Sequence, residues 1–179
     1  MRPTRLSRLM SLVLRHRPHE FDLVLDAEGF VPVDELVAAL RRRHPGVSRG
    51  DVEDVVSHHD TRKQRFSIVE GQIRANYGHS LDQRIEHQPA VPPPLLLHGT
   101  HQRALNEILR DGLRPMDRQY VHLTPDPGIA RQVGGRRGRP VVLTVDAAAA
   151  HDAGIVFRRT GGAFWLVDRV PAQFIRRSG

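Results

Sequence analysis

RFSIVEGQIRANY, from Arg65 to Tyr77, alternates apolar and polar residues on either side of Glu70-Gly71, the pattern of two antiparallel strands joined by a tight turn. What precedes it has helical spacing. Leu6, Leu9, Met10, Val13 and Leu14 recur at intervals of three and four on one face, with Arg8, Ser11 and Arg15 on the other. Pro18 predicts that this helix ends just after His16. A second helix is read over Val33 to Arg43 from Leu36, Val37 and Leu40. A third, introduced by Ser48, covers about Arg49 to His58 with Val52, Val55 and Val56 inward. Three helices followed by a β-hairpin is the winged-helix arrangement, a common nucleic-acid-binding plan.

Beyond the hairpin, SLDQRIEHQPAVPPP (Ser80 to Pro94) carries four prolines and no helical or strand period, and reads as a linker. The remaining chain has another texture. LLLH (Leu95 to His98) predicts a buried strand, after which Thr100 caps a helix that runs to Arg110 and is ended by Gly112. YVHLT (Tyr120 to Thr124) and PVVLTV (Pro140 to Val145) predict strands, PDPGIARQV a short helix, and GIVFR, AFWLV and the stretch near Phe174 further strands. Helices are too few for a doubly wound sheet, so a small mixed α+β lobe is expected. The division reads as 1–79, 80–94 and 95–179, with no internal repeat.

Composition bounds the function. The chain has 179 residues, 27 Lys+Arg against 20 Asp+Glu, and no cysteine. Disulfides, Cys-ligated zinc, iron–sulfur clusters and a thiol nucleophile are thereby excluded. No apolar run reaches the roughly 18 residues of a membrane span, and a soluble, cytoplasmic protein is expected. The net charge of +7 is almost all arginine, Lys63 being the only lysine. Guanidinium forks suit phosphate oxygens, although a GC-rich genome would produce the same bias, so charge alone decides nothing. Arg2, Arg5, Arg8, Arg15 and Arg17 fall in the first 18 residues without an acid, as in a transit peptide, but the amphipathic period reads as part of a fold.

Several motifs of known chemistry are missing. There is no Walker A sequence, no GxGxxG and no GxSxG elbow. Gly134, Gly135 and Gly138 with Arg136, Arg137 and Arg139 form a Gly/Arg-rich loop suited to pyrophosphate, which as a pattern alone reads more simply as a solvated turn. His98 and His101 have HxxH spacing without a third ligand nearby, so no metal site is assigned. His58-His59-Asp60 at a helix end, and Arg15-His16 closing the first helix, are each accounted for by a favourable interaction with the helix dipole.

A resemblance adds to this reading. RLSRLMSLVLRHRP, FVPVDELVAAL, RFSI with IRANYGHS, LLLHGT, VHLT, GRRGRPVVLTVD and FWLVDRVPAQFI are similar, in order and over nearly the whole chain, to the signature segments of the KptA family of NAD-dependent RNA 2′-phosphotransferases. One departure is Leu97, where relatives often carry an aromatic residue. The resemblance implies a winged-helix RNA lobe followed by an ADP-ribosyltransferase-like mixed α/β lobe that binds NAD⁺, consumed as co-substrate with no metal. It implies two steps. An internal RNA 2′-phosphate attacks the nicotinamide riboside, releasing nicotinamide and leaving an RNA 2′-phospho-ADP-ribose. The ribose 2″-OH then attacks that phosphorus, giving 2′-OH RNA and ADP-ribose 1″,2″-cyclic phosphate.

The family's Arg-His-Arg-Arg set falls on Arg15, His16, Arg65 and Arg136. His98, Gly99 and Thr100, with His122, Leu123 and Thr124, fall on its NAD-binding positions, and Asn76, His79 and Ser80 serve the lobe junction, substrate contact or structure. From Gly99 onward the only glutamate is Glu107, within a predicted helix, so the strand-borne glutamate of protein-modifying ADP-ribosyltransferases has no equivalent. An anionic phosphate nucleophile needs no such base. The implied partner is RNA with an internal 2′-phosphate, tRNA being one candidate, acted on by a monomer away from membranes. Two alternatives stand beside it: an ADP-ribosyltransferase acting on terminal nucleic-acid phosphates, and a non-catalytic winged-helix nucleic-acid-binding module.

Overall fold

In a computed structural model, residues 2–57 and 64–178 are described. The chain forms two compact units, Met1–Glu86 and His87–Gly179. Both mix helices with small antiparallel sheets, and the described residues contain six α-helices. None is long and apolar enough to cross a membrane.

The first unit is organised by helix α1 (Pro3–Arg15), which starts on a proline, where the missing N–H costs nothing. Leu6, Met10, Val13 and Leu14 are buried on one face, as the spacing predicts, while Arg5 and Arg8 are exposed on the other. His16 caps the end, and Pro18 opens a short 3-10 turn (Pro18–Phe21). Strand β1 (Phe30–Pro32) leads into α2 (Val33–Arg41), and α3 (Arg49–Ser57) follows. Ser48 introduces α3 through a reciprocal cap: its hydroxyl accepts from the Asp51 N–H (3.1 Å), and the Asp51 carboxylate accepts from the Ser48 N–H (2.8 Å). The Ser48 hydroxyl also donates to the Asp51 carboxylate (2.6 Å), and this bond, with the one from the Ser48 N–H, holds the carboxyl below its usual range. His58, expected to close α3, the His58-His59-Asp60 run and Lys63 lie outside the described residues.

Strands β2 (Phe66–Val69) and β3 (Gln72–Ala75) form the expected hairpin, with Glu70 (φ 49°) and Gly71 (φ 77°) in the left-handed conformation that a two-residue hairpin turn requires. The sequence reading missed β1, whose three residues include a proline; it completes the sheet in the order β1-β3-β2. Leu6, Met10, Leu14, Leu36, Leu40, Phe66 and Ile73 make the core.

The stretch from Ser80 to Pro94, read as a linker, is irregular but packed. Ile85 is fully buried and the Glu86 N–H donates to the Ala27 carbonyl (2.9 Å) in the first unit; in the second, the Ala90 N–H donates to Phe157 (2.9 Å). Proline removes ladder hydrogen bonds, not apolar contact.

The second unit has two three-stranded sheets. Strand β4 (Leu95–His101) pairs along its whole length with β6 (Pro140–Asp146), and β9 (Ile175–Arg177) adds to β6. Strands β5 (Val121–Leu123), β7 (Phe157–Arg159) and β8 (Trp165–Val167) form the order β5-β8-β7. A backbone bridge between Leu97 and Thr124 joins the sheets, its two bonds 2.8 and 2.9 Å long. Thr100 does not cap a helix: it stands in β4 opposite Val141, because seven residues of ladder outweigh the cap preference of one threonine. Helix α4 (Leu105–Asp111) begins after a 3-10 turn at Gln102–Ala104 and ends, as expected, at Gly112 (φ 84°). Leu95 is largely exposed, so only part of the predicted buried strand is covered.

Helix α5 (Pro127–Gly134) is capped by Asp126, whose carboxylate accepts from the Ile129 N–H (3.0 Å). It extends through the first glycine of the Gly/Arg-rich segment, and Gly135–Arg137 forms a 3-10 turn, so this segment is helical where a loop was expected. The glycines are needed for packing. A Cβ on Gly134 would stand 2.4 Å from the Thr100 carbonyl oxygen, and one on Gly99 would stand 1.8 Å from the Ala130 carbonyl oxygen. Backbone therefore rides on backbone where α5 crosses β4. Helix α6 (Ala147–Asp152), capped by Asp146, went unread because its alanine run carries no amphipathic signal.

Replacing Gly99 by alanine should therefore destabilise the second unit by about 3 kcal/mol or more, since the obstacle is backbone with no rotamer to yield. Urea unfolding would show a lower midpoint; an unchanged midpoint would contradict the packing.

Candidate functional site

In the first unit, Arg15, His16, Arg65, Asn76 and Ser80 are brought together where α1 ends and the β2–β3 hairpin closes. Helix ends leave carbonyls without intrahelical donors. The Arg15 carbonyl receives the Ser80 N–H (3.0 Å), which draws the chain following the hairpin onto the helix end. The Ser80 hydroxyl then lies 2.7 Å from His16 Nδ1. Arg15 Nη2 donates to the Arg65 carbonyl (3.4 Å), the carbonyl that also accepts the Asn76 N–H (2.9 Å). Arg65 Nη1 donates to the buried hydroxyl of Ser7 (3.2 Å). Arg15, His16 and Arg65 are all half-buried.

Asn76 is fully buried, its amide donating to the Gln64 carbonyl (3.0 Å) and accepting from the Ser67 hydroxyl (2.7 Å). It locks the hairpin base and thereby places Arg65; of the roles open to it from sequence, the structural one matches these bonds. His79 is also buried, close to Gly29 and Ile85.

Three residues of this site were missed. Tyr77 and Phe66 present their rings to the Arg15 guanidinium, whose Cζ lies 4.8 and 5.7 Å from the two centroids. Aromatic faces hold a cation without neutralising it. The aromatic residue in RANYGHS was the available signal. Nothing in the sequence pointed to the contact of Ser7 with Arg65.

In the second unit, His98 on β4 contacts β5 by Nδ1, 3.0 Å from the His122 carbonyl oxygen. A carbonyl only accepts, so the proton sits on Nδ1 and Nε2 is an acceptor. Burial pushes the His98 imidazole below its ordinary range, keeping it neutral. The neutral ring can accept a hydrogen bond from a hydroxyl or amide of a ligand. The His122 ring stands edge-on to Phe164. Leu123 and Thr124 are buried, and the Thr124 hydroxyl accepts from the Asp126 N–H (3.2 Å), so both shape the strand end. Thr100 lies against Gly134, and the space before Gly99 is filled by α5, so the close approach this glycine permits is made by protein backbone. Arg136 follows in the 3-10 turn, exposed and without an ion-pair partner among the described residues.

A site of two guanidinium groups and an imidazole, held by hydroxyls, carbonyls and aromatic faces, is suited to an anion with several acceptor oxygens, such as a phosphate. The comparisons agree with that chemistry. The family model described as RNA 2′-phosphotransferase, Tpt1 / KptA family, matches residues 1–169. A protein of Streptomyces griseus named "Probable RNA 2′-phosphotransferase" is 43% identical over 99% of this chain and 98% of its own length. Proteins of the same name from Trichormus variabilis (43%; 97% and 96%) and Thermococcus kodakarensis (42%; 96% and 94%) are similar over comparable spans. The chain belongs to the RNA 2′-phosphotransferase family.

The His98 environment has a measurable consequence. Its folded pKa is depressed, so below the ordinary histidine range the unfolded chain binds a proton that the folded unit refuses. Stability should fall as pH drops from about 7 to 5 and be flat in this respect above 7. In His98→Asn, which keeps a donor toward the His122 carbonyl, the pH slope of the unfolding free energy should be shallower by at most about 1.4 kcal/mol per pH unit. Parallel curves for the two proteins would contradict a neutral His98.

Proposed function

We propose that this protein removes an internal 2′-phosphate from RNA by transferring it to NAD⁺, with 2′-OH RNA, nicotinamide and ADP-ribose 1″,2″-cyclic phosphate as products. The observation that carries the reading is the joining of Arg15, His16 and Arg65 at the end of α1, on the positions where the family's phosphate-handling residues fall. In this reading the first unit is a winged-helix RNA lobe and the second an ADP-ribosyltransferase-like lobe. Exposed Arg5 and Arg8 on α1 add attraction for an RNA backbone.

The arginines bind and orient the phosphomonoester, whose near-dianionic charge makes it nucleophilic without a base. His16 hydrogen-bonds it. In the second unit NAD⁺ is the second substrate, and neutral His98 fits one by offering an acceptor to a ribose hydroxyl or carboxamide. The only described acid near the start of α5 is Asp126, which is committed to the helix cap. Transesterification by the 2″-OH builds charge on the phosphate oxygens, and Arg136, exposed and unpaired among the described residues, is assigned to that step.

Incubation with NAD⁺ and an oligoribonucleotide carrying one internal 2′-phosphate tests the reading by mass spectrometry. The cyclic phosphate and 2′-OH RNA are expected. ADP-ribose left on a terminal phosphate would favour the terminal-phosphate alternative, and binding without turnover would favour a non-catalytic nucleic-acid-binding module.

Alanine at Arg15, His16 or Arg65 should leave a folded protein with turnover lowered about 10²–10³-fold; near-normal turnover of all three would remove the assignment. Arg136→Ala should slow the second step more than the first and accumulate RNA 2′-phospho-ADP-ribose, with Arg136→Lys recovering only part, because an ammonium cannot reproduce a bidentate fork. Loss of nicotinamide release with no intermediate would instead place Arg136 in NAD⁺ binding or the first step.

A further inference from the structure

We propose that Ser80 is a positioning residue that sets the tautomer of His16, holding the neutral ring with its proton on Nε2 so that it donates to a phosphate oxygen. The inference rests on the reading of His16 as a phosphate contact. Three observations carry it. Ser80 Oγ lies 2.7 Å from His16 Nδ1, the distance of a well-formed hydrogen bond. The serine is itself fixed, because its N–H donates to the Arg15 carbonyl at 3.0 Å, one residue before the histidine it serves. The chain on both sides is anchored, by buried His79 and by Ile85 in the core of the first unit.

The direction of the bond follows from what the ring must face. Either Ser80 donates to Nδ1 and the ring proton sits on Nε2, or Nδ1–H donates to Ser80 and Nε2 carries a lone pair. A phosphate dianion offers only acceptors, so a lone pair on Nε2 would oppose it. With Ser80 donating, His16 supplies an N–H to the phosphate while neutral, without having to bind a proton beside Arg15. A carboxylate in the place of this hydroxyl would compete with the substrate for the same arginines. A neutral orienting group therefore suits a site built to take up a dianion.

The test uses the full chain with ¹⁵N-labelled histidine. Ring nitrogen shifts of His16, assigned by comparison with His16→Gln, are read at a pH where the ring is neutral, without RNA or NAD⁺. Wild type and Ser80→Thr should show the Nε2–H tautomer, and Ser80→Ala a shift toward a mixture. In turnover of 2′-phosphorylated RNA, Ser80→Ala should lose roughly tenfold in kcat/KM and Ser80→Thr should recover most of it. An Nδ1–H tautomer in wild type, or identical ring shifts in wild type and Ser80→Ala, would overturn the proposal. So would a Ser80→Ala enzyme as active as wild type. A wild type that removes no 2′-phosphate would defeat the proposed function, while the ring shifts would still decide whether Ser80 sets the tautomer.

Discussion

The hydrogen bond from the Ser80 N–H to the Arg15 carbonyl is the contact on which the first unit's site depends. An α-helix that stops at a histidine before Arg17-Pro18 leaves carbonyls facing outward, and one of them is satisfied by chain that has already passed through the hairpin. That closure brings Ser80 to His16, while the bond from Arg15 to the Arg65 carbonyl ties the same helix end to the hairpin. The phosphate-suited groups therefore assemble only when the unit is folded. Their described partners include the Ser7 hydroxyl, backbone carbonyls and the rings of Tyr77 and Phe66.

The second unit uses a different constraint. The crossing of α5 over β4 works only with glycine at positions 99 and 134, because carbonyl oxygens occupy the space a Cβ would take. The close crossing sets where α5 ends, and hence where the turn bearing Arg136 begins. It also fixes β4 against β6, so that His98 meets the His122 carbonyl across the bridge between Leu97 and Thr124. An arginine in a short turn after a tightly packed helix has far less freedom than one in a solvated loop.

Local signals were legible and long-range ones were not. The stripe from Leu6 to Leu14, the start of α3 at Ser48, the turn at Glu70-Gly71 and the stop at Gly112 each depend on neighbours in sequence, and each stands in the structure where the sequence places it. Thr100 was misassigned because its ladder partner, Val141, is distant in the chain, and the Gly/Arg-rich segment because the backbone it packs against lies in β4. The packed path of Ser80 to Glu86 was hidden for the same reason: Ile85 looks isolated among polar residues until the core beneath it is known. As for the site, Arg15 and His16 could be picked out by position and resemblance. Their links to Ser80, Tyr77 and Arg65 belong to tertiary closure and had no local sign.

The central claim is that the end of α1 forms a site for an RNA 2′-phosphate, and direct binding tests it apart from catalysis. Two oligoribonucleotides of one sequence, differing only in a 2′-phosphate at one internal position, would be titrated calorimetrically into the protein without NAD⁺. The account predicts that the phosphate tightens binding about tenfold or more, and that the gain disappears in Arg65→Ala while binding of the unmodified strand changes little. Equal affinity for the two strands, or a gain that survives loss of Arg65, would contradict it.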